Sequence, residues 1–129
     1  MTKLSFTAAF GSYDAKLKNV QWASSAIATD GSLVLSCWDH FFKGGGHKRY
    51  EDHLSRWPAN HPGRNLLAAH LRKAVAGNLS VRLVVATLDE TEKWVSGKAR
   101  PSRKTFSTEP NVIGKVVEFD GNSFAVEFR

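Results

Sequence analysis

The chain has 129 residues, the length of one domain, so we expect a single domain over residues 1–129 rather than a multidomain enzyme. Its residues are 42% hydrophobic and 11% aromatic, a composition that argues against a disordered or disulfide-dense chain. Eighteen Lys and Arg residues against twelve Asp and Glu residues leave a net charge of +6 at pH 7, which favours an acidic partner.

The N-terminal third of the chain predicts three strands. Apolar residues alternate with other residues over residues 3–10, which predicts the first strand. A second strand is predicted over residues 19–28 and a third over residues 32–42, joined by a tight turn at Asp30 and Gly31. Because successive side chains of a strand point to opposite faces, we expect the third strand to have one buried and one half-exposed face.

Two helices are predicted in the middle of the chain. Apolar residues at helical spacing over residues 50–57 predict a short helix, which Pro58 ends. Residues 65–76 carry an apolar stripe at the same spacing, and Gly77 with Asn78 can supply the left-handed conformation that ends a helix. The helices are thus grouped together rather than alternating with strands.

The C-terminal part of the chain predicts three more strands. The valine-rich residues 79–88 predict a central core strand, and the polar, basic residues 89–104 that follow predict an irregular loop. Residues 117–119 and 124–128 place their apolar side chains on one face and flank turn-forming residues 120–122. They therefore predict a hairpin.

The predicted order of elements is β-β-β-α-α-β-β-β. This order is typical of an α+β fold and argues against a doubly wound nucleotide-binding sheet, in which helices and strands alternate. We expect a curved mixed or antiparallel sheet, or a half-open β-barrel, packed by two short central helices.

Cysteine content and hydropathy favour a cytoplasmic protein. Cys37 is the single cysteine, so no internal disulfide can form, and the strand pattern places its side chain on the buried face. The first residues lack the apolar stretch of a secretory signal, and no window approaches the roughly 18 apolar residues of a membrane-spanning helix. We therefore expect no association with a membrane.

The positive charge is concentrated in residues 41–104. This segment holds thirteen basic and five acidic residues, a balance of +8, whereas residues 1–40 balance to zero and residues 105–129 to −2. Basic residues that neutralise closely spaced phosphates release counterions, so clustered Lys and Arg favour salt-dependent binding of nucleic acid. The sequence therefore predicts a module that binds DNA or RNA through residues 43–64 and 93–104.

The candidate phosphate-binding residues lie around the glycine triplet of residues 44–46 and in the later basic loop. They are Lys43, Lys48, Arg49, Arg56, Arg64, Lys98, Arg100, Arg103 and Lys104. Aromatic side chains could stack on an unpaired or flipped base, and the candidates are Trp22, Trp38, Tyr50 and Trp57. The competing interpretation is that the basic surface only keeps the protein in solution and that the tryptophans pack in its core.

A catalytic role is the second hypothesis. All five histidines fall within residues 40–70, interspersed with acidic residues. A small hydrolase or nuclease could use Asp39, His40, His47, Asp52 and His53 for acid–base chemistry. The spacings match no zinc motif, and the glycine-rich loop lacks the spacing of a P-loop, so no metal or cofactor site is predicted. The third hypothesis is a protein-interaction domain whose basic surface meets an acidic protein partner.

Overall fold

A computed structural model describes residues 4–19, 23–43, 46–88 and 104–129. These residues form two α-helices, α1 (Phe6–Gly11) and α2 (Pro62–Gly77). The strands that they form are β1 (Ser25–Ile27), β2 (Leu33–Trp38), β3 (Phe42–Lys43), β4 (Arg49–His53), β5 (Val81–Leu88), β6 (Lys104–Thr108), β7 (Gly114–Phe119) and β8 (Ser123–Phe128). Two 3₁₀ turns, Asp39–Phe41 and Leu54–Arg56, follow β2 and β4.

The strands form one mixed, curved and unclosed sheet. Its order is β1-β2-β5-β7-β8-β4-β3, and β6 pairs with β5 outside this path. β2 and β5 run parallel, whereas the other strand pairs are antiparallel. The expected α+β class with a curved mixed sheet is confirmed, with α2 in the middle of the chain.

Both faces of the sheet are buried around β2 and β5. In β2, Leu33 and Leu35 belong to a large apolar cluster that also contains Leu67 and Leu71 of α2. Val34 points to the opposite face and belongs to a second cluster, which contains α1. Each fully buried leucine or valine stabilises the fold by roughly 1.5–3 kcal/mol relative to an exposed one. This part of the sheet is therefore the centre of the core.

The part of the sheet formed by β4, β7 and β8 has polar side chains on its second face. In β4, Tyr50 and Asp52 are buried, whereas Arg49 and Glu51 are half-buried and His53 is exposed. We refer to the surface formed by the outward side chains of these three strands as the open sheet face.

The first predicted strand, over residues 3–10, is wrong, because residues 6–10 belong to α1. Ser5 caps this helix, and its Oγ accepts a hydrogen bond from the Ala8 N–H at 3.1 Å. Phe6 and Phe10 lie one turn apart, with ring centroids separated by 5.0 Å. Apolar residues four positions apart fit both the two-residue repeat of a strand and the 3.6-residue repeat of a helix. The short alternation in this segment could therefore not distinguish a strand from a helix.

The short helix predicted over residues 50–57 is also wrong, because this segment forms most of β4 and then the 3₁₀ turn Leu54–Arg56. Tyr50 pairs with Val126 of β8, so the partner that fixes the strand comes from the far end of the chain. A local window of sequence contains no information on such a partner, and tertiary pairing here overrides the helical spacing.

Three predicted elements are confirmed: α2, β5 and the hairpin of β7 and β8. Asn78 ends α2 in the left-handed conformation, with φ of 50°, and Gly121 supplies φ of 99° in the hairpin turn. Cys37 is buried as expected, and burial raises the pKa of its thiol well above the ordinary value. Such a thiol is unreactive.

Other boundaries differ from the expectation. In the predicted second strand only β1 forms among the described residues, and the third strand ends at Trp38, where a 3₁₀ turn begins. β6 was not predicted, and residues 89–103 of the predicted loop lie outside the described residues. Of the helices described, none has the length and apolar character needed to cross a lipid bilayer.

Candidate functional site

The pairing of β4 with β8 sets the chemistry of the open sheet face. Arg49 lies opposite Glu127, and Glu51 lies opposite Ala125. On the other side of β8, Glu118 of β7 pairs with Ala125. Side chains on neighbouring strands approach to about 5 Å, so this register brings one arginine and three carboxylates together.

Arg49 is held by these three carboxylates. Its Nε donates to Glu51 at 2.7 Å, its Nη1 donates to Glu127 at 2.7 Å, and its Nη2 donates to Glu118. Hydrogen bonds to Glu51, Glu118 and Glu127 raise the pKa of Arg49 above its ordinary value. The charge of Arg49 is thus more than neutralised, and a phosphate would have to displace a carboxylate to bind it.

A groove of about 580 Å³ runs along the open sheet face. Its lining has the basic side chains of Lys43 and Arg49 and a larger number of acidic ones. The acidic lining residues are Glu51, Asp52, Glu118 and Asp120. We refer to it as the acidic groove, because this balance disfavours a polyanion.

Asp52 anchors Arg56 beside the core. The Asp52 side chain is only 2% exposed and accepts hydrogen bonds from Arg56 Nε at 3.0 Å and Arg56 Nη2 at 2.6 Å. The Tyr50 hydroxyl and the His53 backbone N–H also donate to it. The Arg56 guanidinium carbon lies 4.0 Å from the ring centroid of Trp57, within the range of a cation–π contact. Arg56 is therefore fixed in position.

A second hollow, of about 220 Å³, lies beside Arg56. Its lining residues are His40, Phe41, Lys43, Glu51, Asp52, His53 and Arg56. We refer to it as the Arg56 pocket. Three of the five residues proposed for acid–base chemistry, His40, Asp52 and His53, thus share one pocket.

The other two candidate catalytic residues, Asp39 and His47, pair with each other elsewhere. His47 Nε2 lies 2.6 Å from Asp39 Oδ1, and His47 Nδ1 contacts Glu109. Partial burial lowers the pKa of His47, but the hydrogen bonds to Asp39 and Glu109 raise it, and the net shift is upward. With both ring nitrogens occupied, His47 connects three segments of the chain and has no free nitrogen for acid–base chemistry.

The candidate phosphate-binding residues are divided between several environments. Arg49 and Arg56 form ion pairs with carboxylates of the chain, and Arg64 donates to the backbone oxygen of Trp57 at 3.1 Å. Lys43 and Lys48 are exposed. Lys98, Arg100 and Arg103 lie outside the described residues, as does the side chain of Lys104.

The aromatic candidates for base stacking are also separated. Tyr50 is 1% exposed, and burial raises its pKa above the ordinary value, so its ring faces cannot receive a base. Trp38 and Trp57 are half-buried and pack against the large core cluster. Trp22 lies outside the described residues. Core packing therefore accounts for Tyr50 and for much of the surface of Trp38 and Trp57.

Sequence reasoning missed a basic surface on α2. Arg72 and Lys73 are exposed there, near the small exposed residues Ala69 and Ala76. Across the ranges that the structure covers, neither cation contacts a carboxylate. Burial, and after it the charges of Lys73 and Lys18, lower the pKa of His70 on the same helix, and Lys18 is also exposed. We refer to Arg72, Lys73 and Lys18 as the basic helix face.

A signal for this surface is present in the sequence. Between Asp52 and Asp89 the chain has five Lys and Arg residues and not one Asp or Glu. α2 lies wholly within this stretch. A cation on it therefore has no acidic neighbour on its own helix, where residues three or four apart would form an ion pair.

The described residues contain no group of three or more His, Cys, Asp and Glu side chains that could hold a metal ion. Comparisons with protein-family models, with known proteins and with solved structures find no match for this chain.

Proposed function

We propose that this protein binds nucleic acid and that the basic helix face makes the main contact with the phosphate backbone. The observation that carries this proposal is that Arg72 and Lys73 of α2 pair with no carboxylate of the described residues, in a chain whose net charge is +6. A cation that is not already paired gains the full benefit of counterion release when a phosphate binds it.

The shape of α2 supports the same surface. It is a helix of 16 residues, and Ala69 and Ala76 are small enough to let a phosphate backbone approach the cations closely. A helix also fits the major groove of duplex DNA, which is about 12 Å wide. Phosphate contacts of this kind fix position and do not read sequence, so binding with little sequence preference is expected.

Two other groups of cations would extend the contact. Lys43 and Lys48 are exposed and form no ion pair with a described carboxylate. We also propose phosphate contacts from the second basic segment of the sequence, made by Lys98, Arg100, Arg103 and Lys104. The acidic groove, by contrast, would repel the strand and so set its orientation on the molecule.

The test is a fluorescence-anisotropy titration with labelled duplex and single-stranded oligonucleotides over a range of salt concentrations. The double variant Arg72→Ala/Lys73→Ala should lose about tenfold in affinity, and the slope of log K against log salt should shrink by about two, one unit for each lost phosphate contact.

The matched control is Lys48→Ala/Arg129→Ala, which also removes one lysine and one arginine, both exposed. Its affinity should fall by no more than about threefold, because Lys48 makes only a peripheral phosphate contact in this proposal and Arg129 makes none. Equal losses in the two double variants would assign binding to net charge alone. No binding to any oligonucleotide at low salt would remove the proposed function.

A further inference from the structure

We propose that the Arg56 pocket binds a phosphomonoester, with the phosphate group at Arg56 and the rest of the ligand in the acidic groove. The two hollows share Lys43, Glu51, Asp52 and His53, so one ligand can occupy both. This site is separate from the basic helix face and shares only Lys43 with the peripheral cations of the proposed function, so it can bind a phosphomonoester whether or not α2 binds nucleic acid.

Arg56 is prepared for an anion. Asp52 engages its Nε and Nη2, and the rings of Trp57 and Phe41 lie 4.0 Å and 5.4 Å from its guanidinium carbon. Its Nη1 makes no hydrogen bond to any described residue and remains a donor. A side chain that is already immobilised loses little conformational entropy when a ligand binds, which favours affinity.

The carboxylates of the pocket already accept hydrogen bonds from the protein, whereas three of its donor side chains are unpaired with any described carboxylate. Asp52 accepts from Tyr50, His53 N–H and Arg56, and Glu51 is held by Arg49. In the described parts of the chain, the side chains of Lys43, His40 and His53 make no ion pair with a carboxylate. Together with Arg56 these three lining residues supply donors to several oxygens of one tetrahedral anion.

The lining of the acidic groove limits the ligand to one phosphate group and indicates the chemical groups that the remainder of the ligand carries. Its volume of about 580 Å³ lies within the range of small-molecule sites. Glu118 and Asp120 in its lining would repel a second phosphate, but they accept hydrogen bonds from hydroxyl or amino groups. The chemistry therefore fits a phosphorylated sugar better than an extended polyanion.

The first experiment is isothermal titration calorimetry with ribose 5-phosphate, inorganic phosphate and ribose. Ribose 5-phosphate should bind about tenfold more tightly than inorganic phosphate, because only it can place a phosphate at Arg56 and hydroxyl groups in the acidic groove, and ribose should give no measurable binding. The proposal is overturned if ribose 5-phosphate gives no saturable heat at about 10 mM, or if ribose binds equally well.

A 5′-phosphorylated tetranucleotide serves as a second arm, since a terminal phosphate offers the same chemistry. Weaker binding of the tetranucleotide than of ribose 5-phosphate identifies a free small molecule as the ligand. Stronger binding that is lost when the 5′-phosphate is removed identifies the end of a nucleic acid. Either result supports a phosphomonoester site, and equal binding of the tetranucleotide without its 5′-phosphate overturns it.

Variants test which residues hold the phosphate. Lys43→Ala and His53→Ala remove side chains that leave the Arg56–Asp52 pair intact, and each should weaken ribose 5-phosphate about tenfold. Lys48→Ala is the matched control, because Lys48 is exposed but lines neither hollow. The affinity of this variant for ribose 5-phosphate should equal that of the unmodified protein. Equal affinity of the Lys43→Ala and Lys48→Ala variants would overturn the assignment.

Discussion

The basic helix face and the open sheet face both carry cations, but they differ in what surrounds those cations. On the open sheet face Arg49 contacts Glu51, Glu118 and Glu127. On α2 no acidic residue is present, and Arg72 is exposed. A phosphate must compete with three carboxylates at the first surface, whereas at the second it meets no carboxylate paired with Arg72 or Lys73 in the described ranges.

This difference shows that the charge of a sequence segment is a poor guide to the charge of a surface. Arg49 belongs to the strongly basic segment 41–104, but two of its partners come from residues 105–129, whose balance is −2. Strand pairing brings the two segments together and cancels the charge locally. The cations that stay available are those whose neighbours in space, and not only in sequence, lack carboxylates.

The largest effect is expected from breaking the ion pair that fixes Arg56. Asp52→Ala leaves a partly buried guanidinium without its partner and removes an acceptor from the Tyr50 hydroxyl. The free energy of unfolding, measured with urea, should fall by about 3 kcal/mol. Asp52→Asn keeps an acceptor oxygen and should lose less. A loss below about 1 kcal/mol in the alanine variant would mean that Arg56 is not held by Asp52.

The sequence predicted the fold class because the long elements have regular patterns. The apolar stripe of the 16-residue α2 is long enough to identify a helix, and the turn-forming residues 120–122 mark the hairpin of β7 and β8. α1 has six residues, too few to distinguish a helix from a strand. β4 was mistaken for a helix because its structure depends on pairing with β8, which no local pattern records.

The candidate site was predicted only in part, for the same reason. His40 and His53 were named as candidates and do line one pocket. Their separation from His47 depends on the 3₁₀ turn after β2 and on Glu109, which follows β6. Neither feature has a signature in the sequence, whereas the lack of Asp and Glu around α2 could have been read from it directly.

Removing one carboxylate partner of Arg49 should make this cation more available to a phosphate, as the cations of the basic helix face are. Glu127→Gln removes one of the three carboxylates that hold Arg49. Affinity for an oligonucleotide should rise several-fold and the salt slope should steepen by up to about one. Asp14→Asn is the matched control, because it removes one exposed charge without touching Arg49. An equal rise in both variants would show that net charge, not local pairing, limits binding.

A smaller effect is expected from the pH dependence of the His47 contacts. Because the pKa of His47 is raised in the folded protein, its stabilising contribution is complete below its ordinary pKa and is lost as the pH rises through the folded value. The difference in unfolding free energy between the unmodified protein and His47→Gln should therefore be larger at about pH 5.5 than at about pH 8.5. The pH-dependent part of this difference should stay below about 1 kcal/mol, since the side chain of Asp39 is about half exposed to solvent. A difference that does not change with pH would contradict the contacts to Asp39 and Glu109.

The smallest effect concerns repulsion among the cations of the basic helix face. Burial, and after it the charges of Lys73 and Lys18, lower the pKa of His70, as expected where no carboxylate offsets a cation. Lys73→Ala should therefore raise the pKa of His70, which an NMR titration of the imidazole ring protons measures directly. Lys48→Ala should leave it unchanged, because Lys48 is not among the residues that act on His70. If Lys73→Ala also leaves the pKa unchanged, the charge of Lys73 does not reach His70, and the contrast with the open sheet face loses this support.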